Sequence, residues 1–210
     1  LGGIVIDSGK FNWLSNSKYP SFSEPSPEYN GLIFAETFGD LAYTMYSHAI
    51  SLRDLGCSQS PMNAWITLNG VETLPLRMER HCSNALNVAR FLENHPKVLW
   101  VSYAGLESSS YYDLGKKFMP NGSGAVFTFG VKGGYKNGIK ILENVKLFSH
   151  VANLGDSHSL ILHPASTTHR QLTEEERVSA GAGSEVIRLS IGIECVADII
   201  SDLDQALDQL

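Results

Sequence analysis

Arg188 stands in Val186-Ile187-Arg188-Leu189-Ser190-Ile191-Gly192, a run that alternates apolar residues with small or polar ones. Strand side chains alternate faces, so Ile187, Leu189 and Ile191 belong to a core and Arg188, Ser190 and Gly192 to the opposite face. Small neighbours leave room beside the arginine for a ligand. A guanidinium grips a carboxylate through two parallel charge-assisted bonds, a geometry that lysine lacks. From this strand alone, an arginine on a sheet's solvent face is the plainer alternative. Upstream, Asn153 opens the turn-forming stretch Leu154-Gly155-Asp156-Ser157. Its amide can orient a ligand or simply cap the turn. Between the two lies His163-Pro164-Ala165-Ser166-Thr167-Thr168-His169, dense in polar groups. With Asp156 and His158 these histidines fit no zinc spacing, and no thiolate joins them, so no metal site is expected. Other chemistries lack their motifs. There is no G-x-S-x-G elbow. Gly181-Ala182-Gly183 lacks the third glycine of a dinucleotide fingerprint, and no Walker loop is present.

The elements that must hold these residues are read from periodicity. Strand-like runs cover 98–103, 125–131, 158–163 and 186–192, with helices at about 135–147 and 196–207. Thr173-Glu174-Glu175-Glu176 is a capping box opening a short helix. Upstream, residues 1–7 read as a strand and 8–31 as a loop whose aromatic residues favour packing. A helix is expected from Phe34 to Leu55, ended by Gly56, and another from Pro61 to Leu68. A long helix from Val71 to Asn94, broken from its predecessor at Gly70, buries Leu74, Met78, Ala85, Ala89 and Leu92. Pro75 is tolerable in its first turn. The fold class expected is α/β, with a mostly antiparallel sheet covered by helices.

Composition narrows the function. The chain has 210 residues, 43% hydrophobic and 18% charged, as in an ordinary globular protein. A net charge of -6 argues against nucleic acid or an anionic membrane as partner. No run of 18 apolar residues and no secretory leader is visible. Cys57, Cys82 and Cys195 form no CxxC pair and read as free thiols of the cytoplasm. The first residue is Leu1, and the strand-like run begins at once, so further chain is expected before it.

Taken together, three blocks in fixed order are far more specific than any one of them. Asn153-Leu154-Gly155-Asp156 is followed by Ser159-Leu160-Ile161 through His169, then by Arg188-Leu189-Ser190-Ile191-Gly192-Ile193-Glu194. This order resembles the Cys/Met-metabolism family of pyridoxal-phosphate enzymes over essentially the whole chain. Gly2-Gly3-Ile4-Val5-Ile6-Asp7-Ser8-Gly9-Lys10-Phe11-Asn12-Trp13, Gly70-Val71-Glu72-Thr73-Leu74, Arg77-x-Glu79-Arg80-His81 and the long aromatic loop before Gly31 are most similar to its sulfhydrylase branch.

The resemblance implies the C-terminal part of a fold-type-I enzyme. Residues 1–70 would end the large cofactor domain, and 71–210 would form a connecting helix and the substrate-binding domain. Arg188 matches the arginine that binds the substrate α-carboxylate, Asn153 a position beside it, and Thr168 a loop lining the site. The implied cofactor is pyridoxal 5'-phosphate, held mainly by residues upstream. The family's Schiff-base lysine lies in a Ser-x-x-Lys context that neither Lys10, Lys18 nor any other lysine here provides. No catalytic residue is therefore expected in this chain. The implied reaction is exchange of the acetate of O-acetylhomoserine for sulfide or a thiol. A γ-lyase, a γ-synthase or a non-catalytic fragment packing on a complete subunit are the alternatives. Implied partners are the upstream half and further copies, as a dimer or tetramer.

Overall fold

The computed structural model describes residues 2–210. The chain divides into two compact units, up to Glu72 and from Thr73 onward.

The first unit is held by aromatic rings. Its short helices are α1 (Pro20–Ser23), α2 (Phe34–Phe38), α3 (Ala42–Tyr46) and α4 (Pro61–Glu72). Phe22, Phe34, Ala35 and Ala42 are buried, and Trp13 stacks on Phe22 with ring centroids 4.2 Å apart. The aromatic loop thus packs by offset ring contacts, each contributing roughly 0.5–1.5 kcal/mol beyond area burial.

Two expectations fail here. The single helix over 34–55 is divided: a 3₁₀ turn at Gly39–Leu41 separates α2 from α3, and α3 runs into a π-helix at Ser47–Asp54. Gly39 adopts φ 52, a left-handed value that stops α2, so the apolar spacing spans a bend rather than one helix. Gly56 does end the run, with φ 71. Residues 2–7 form no strand, and Leu1 lies outside the described residues. The segment is extended coil with Ile4 at 83% and Ile6 at 84% exposure. A strand needs a ladder, and none of the described residues offers one.

The second unit is an α/β domain. Its helices are α5 (Leu74–Glu93), α6 (Tyr112–Phe118), α7 (Gly134–Asn144), α8 (Glu174–Ser179) and α9 (Val196–Asp208). Its strands are β1 (Val98–Ser102), β2 (Val126–Val131), β3 (Ser149–His150), β4 (Leu160–Leu162) and β5 (Val186–Ser190). The sheet order is β1-β2-β5-β4-β3. Pairing is antiparallel except between β3 and β4. β5 is therefore central, and Arg188 lies opposite Thr128 on β2 and Leu162 on β4.

One face of the sheet meets α5, α7 and α9. Phe127, Phe129, Ile161, Ile187 and Leu189 pack there with Ala85, Val88, Ala89, Leu92, Ile141, Ile199 and Leu203. Each fully buried aliphatic side chain contributes roughly 1.5–3 kcal/mol relative to exposure. α8 opens with the expected capping box: Thr173 Oγ1 accepts from Glu176 N–H, and the Glu176 carboxylate accepts from Thr173 N–H.

α4 continues through Gly70, and the break falls at Thr73. A glycine inside a helix costs only about 1 kcal/mol. The buried stripe of α5 begins at His81; Leu74 and Met78 are exposed at 40% and 39%, because nothing in the second unit covers the first turns.

Candidate functional site

The site is built on β5 and the exposed loop 151–158 that precedes β4. Ile187 and Leu189 are fully buried in the core. Arg188 and Ser190 project to the other face by strand alternation, and the loop is tied to that row. Arg188 Nη2 donates to the Asn153 carbonyl at 3.0 Å. Ser190 Oγ accepts from Gly155 N–H at 3.2 Å. Just beyond the strand, Ile193 N–H donates to Ser157 O at 2.9 Å. The Asn153 side chain turns back, its Oδ1 accepting from Leu154 N–H at 2.9 Å. Arg188 Nε and Nη1 and Asn153 Nδ2 have no hydrogen-bond partner among the described residues. Half-buried Arg188 and exposed Asn153, 35 apart in sequence, thus meet, with these remaining donors facing solvent or uncommitted to protein groups. With one Nη2 proton on Asn153 O, the guanidinium keeps one edge with two N–H groups, and such an edge suits a ligand with two acceptor oxygens, that is, a carboxylate.

The floor under this row is polar and buried. Asn84 Nδ2 donates to Gly192 O at 3.0 Å and to Glu194 O at 2.9 Å. His81 Nδ1 lies 2.6 Å from Ile191 O. A carbonyl only accepts, so Nδ1 carries the proton. On the far side, Asp202 of α9 accepts from Lys146 N–H and Leu147 N–H, both at 2.8 Å, fixing the run into β3. Sequence reasoning missed Asn84, Ser159 and Asp202. Their signal was polar residues set inside apolar helical stripes or strand starts, which are buried only when fully bonded.

Thr168 is exposed, and its hydroxyl pairs with His169 Nδ1 at 2.8 Å. No bond joins Thr168 to Arg188 or Asn153 among the described residues.

His163 is wholly buried and structural. Its Nε2–H donates to Ser184 O at 2.9 Å, and Nδ1 pairs with Ser166 Oγ at 2.9 Å. Burial pushes its pKa down from the ordinary 6.5, partly opposed by the Ser184 bond; Arg177 and His150 lower it further. A lowered pKa means the unfolded chain binds the extra proton more readily. The stabilising contribution is therefore complete above pH 6.5 and is lost as pH falls towards the folded value. We expect thermal unfolding in a pH series to lose at most about 1.4 kcal/mol per pH unit from this residue below that point. His163→Asn should flatten the slope; an identical slope in both proteins would show that His163 does not titrate on unfolding.

Two other features stand apart. His95, Asp204 and Asp208 bring their ligand atoms within 4.8 Å of one another. His95 Nδ1 accepts from Lys97 N–H, so Nε2 carries the proton toward Asp204. That tautomer leaves no ring lone pair for a metal. A cavity of about 500 Å³ lined by Glu79, Cys82, Tyr103, Tyr112 and Lys116 contains neither Arg188 nor Asn153. No described helix is long and apolar enough to cross a membrane.

The chain as a whole is similar to known proteins. The chain is 51% identical to homocysteine synthase of Schizosaccharomyces pombe, over 99% of this chain and 49% of that protein. It is 48% identical to O-acetyl-L-homoserine sulfhydrylase of Leptospira meyeri, over 100% of this chain and 49% of that one. A crystal structure of a putative O-acetylhomoserine (thiol)-lyase from Campylobacter jejuni, with a pyridoxyl-lysine phosphate, superposes with TM-score 0.82 at 45% identity. That match covers 92% of this chain and 46% of the other. The chain thus spans about half the length of the relatives it matches. The family model for Cys/Met metabolism PLP-dependent enzymes matches residues 1–208, and the chain belongs to that family.

Proposed function

We propose that this chain is the substrate-binding portion of an O-acetylhomoserine sulfhydrylase. The observation that carries the reading is the contact that brings Asn153 to Arg188, whose guanidinium keeps an edge of N–H groups free of protein partners. An amino-acid substrate presents its α-carboxylate to the Arg188 fork, with Asn153 beside it. The fork sits on a central strand with a fully buried core beneath it, so its position is rigid. Thr168 lies on a loop that lines the site in this reading.

The residues gathered here fit the substrate rather than the cofactor. Arg188, Asn153 and Ser190 offer carboxylate donors, and no lysine is bonded to them among the described residues. Pyridoxal phosphate, when bound, supplies the electron sink for bond changes at the substrate carbons. The Schiff-base lysine and phosphate cradle belong, in this reading, to the upstream half. What this chain contributes is orientation. Fixing the carboxylate fixes which bond at the α-carbon is aligned for reaction, and positioning of this kind accounts for several powers of ten in rate. Residues 1–70 belong with the cofactor domain and 71–210 with the substrate domain.

Apolar exposure supports a missing partner. Ile4, Val5 and Ile6 and, on α4, Met62, Trp65, Ile66 and Leu68 are all more than half exposed. Such patches mark interaction surfaces. The partner is the upstream half, within a dimer or tetramer in the cytoplasm. The test is product analysis on the chain joined to that half, with O-acetylhomoserine, with and without sulfide. Homocysteine formed only with sulfide supports the reading. Release of 2-oxobutanoate without sulfide would reassign it to a lyase. No turnover in a complex that binds pyridoxal phosphate would make it a packing fragment.

A further inference from the structure

Loop 151–158 carries Asn153, yet every one of its residues is exposed, and no core side chain anchors it. Its place over β5 is set by hydrogen bonds with Arg188, Ser190 and Ile193 along its length, and its downstream end is held at Ser159 by one further group. Glu194 Oε1 accepts from Ser159 N–H at 2.6 Å, and Oε2 accepts from the Ser159 hydroxyl at 2.9 Å. Ser159 is fully buried, and its Oγ in turn accepts from Gly192 N–H at 2.9 Å. Asn84 holds the backbone carbonyl of Glu194 itself at 2.9 Å. A carboxylate therefore clips the downstream end of the loop to the exit of β5, and α5 holds that exit still.

The choice of residue matters. Both Ser159 partners are donors, and a carboxylate meets them with acceptor oxygens only. An amide can satisfy the N–H with its oxygen, but its nitrogen would then donate to a Ser159 Oγ that already accepts from Gly192. The hydroxyl proton would lose its acceptor.

We infer that Glu194, acting through Ser159, is the positioning residue that holds loop 151–158 in register with β5 and so keeps Asn153 beside Arg188. The inference rests on the reading of Arg188 and Asn153 as the carboxylate site. Glu194 does not touch substrate. Its loss lets the loop shift, and a misplacement of about 1 Å costs up to roughly 100-fold in rate.

The experiment uses the full-length holoenzyme with Glu194→Ala, Glu194→Gln and Ser159→Ala. For Glu194→Ala we expect KM for the amino-acid substrate to rise at least about tenfold. KM for sulfide should stay within about twofold, and backbone amides of 153–157 should exchange at least about tenfold faster. Glu194→Gln and Ser159→Ala should fall between it and the parent. A purely structural role would lower the thermal midpoint and move both KM values together. Unchanged loop exchange in Glu194→Ala, or unchanged amino-acid KM with faster exchange, overturns the inference. If Glu194→Ala does not fold, loop exchange and the two KM values in Glu194→Gln decide in the same way. Arg188→Ala separates the two readings: if it leaves amino-acid KM unchanged, the carboxylate site itself is wrong. If it raises KM while the Glu194 variants do not, only the clip is wrong.

Discussion

Arg188→Ala in the full-length holoenzyme will raise KM for the amino-acid substrate by roughly 100- to 1000-fold. The fork makes two charge-assisted bonds to the carboxylate, each contributing about 1.5–3 kcal/mol net. Losing both costs about 3–6 kcal/mol before water takes up part of the carboxylate's bonding; each 1.4 kcal/mol is tenfold, so the expected rise corresponds to the lower part of that range. Arg188→Lys should recover part of this, because a point charge remains without the planar fork. The effect should be confined to the carboxylate. KM for sulfide and pyridoxal phosphate affinity should be unchanged, and added guanidinium ion should restore activity to Arg188→Ala but not to Arg188→Lys. The substitution also removes the bond to Asn153 O, so a modest stability loss of about 1 kcal/mol accompanies it. An unchanged amino-acid KM would place the carboxylate elsewhere.

How far this site could be read before the fold was known depends on the range of the interactions. β5 was legible because alternation is local: Ile187 and Leu189 reach the core, and Arg188 does not. The capping box at Thr173 and the stop at Gly56 were legible for the same reason. The contact between Arg188 and Asn153 joins residues 35 apart, and no spacing rule reaches across that distance; only the resemblance put them side by side. β3 has two residues, too few for any period to register. The helix over 34–55 failed because apolar spacing survives a bend at Gly39 that the backbone angle alone reveals. The strand expected over 1–7 failed differently, over its described residues 2–7. Its composition suits a strand buried on both faces, but no described residue offers it a ladder partner. Asn84 and His81 were hidden because each interrupts an apolar stripe, and their value lies in carbonyls about 110 residues away.

Gly192→Ala will be the most damaging single methyl that can be added to the site. A Cβ at this position would lie 2.2 Å from Glu194 Oε2, 2.4 Å from Ser157 O and 2.6 Å from Ser159 N. Two of those atoms are backbone, so no side-chain rotation relieves the contact. The φ of Gly192 is not left-handed, which makes closeness rather than conformation the reason for glycine. Gly155 offers the contrast. It has φ 76 with open space around its Cβ position, so alanine there strains the backbone without a clash. Overpacking at Gly192 costs about 1–3 kcal/mol, and at about 2–4 °C per kcal/mol the thermal midpoint should fall by several degrees. The methyl lifts residues 157–159 from β5 and carries Asn153 away from Arg188. We therefore expect amino-acid KM to rise up to roughly 100-fold in Gly192→Ala, with a much smaller change in Gly155→Ala. Steady-state kinetics on the two holoenzymes checks this. Equal effects in both would show that the loop tolerates displacement and that the close approach at Gly192 is not what sets the site.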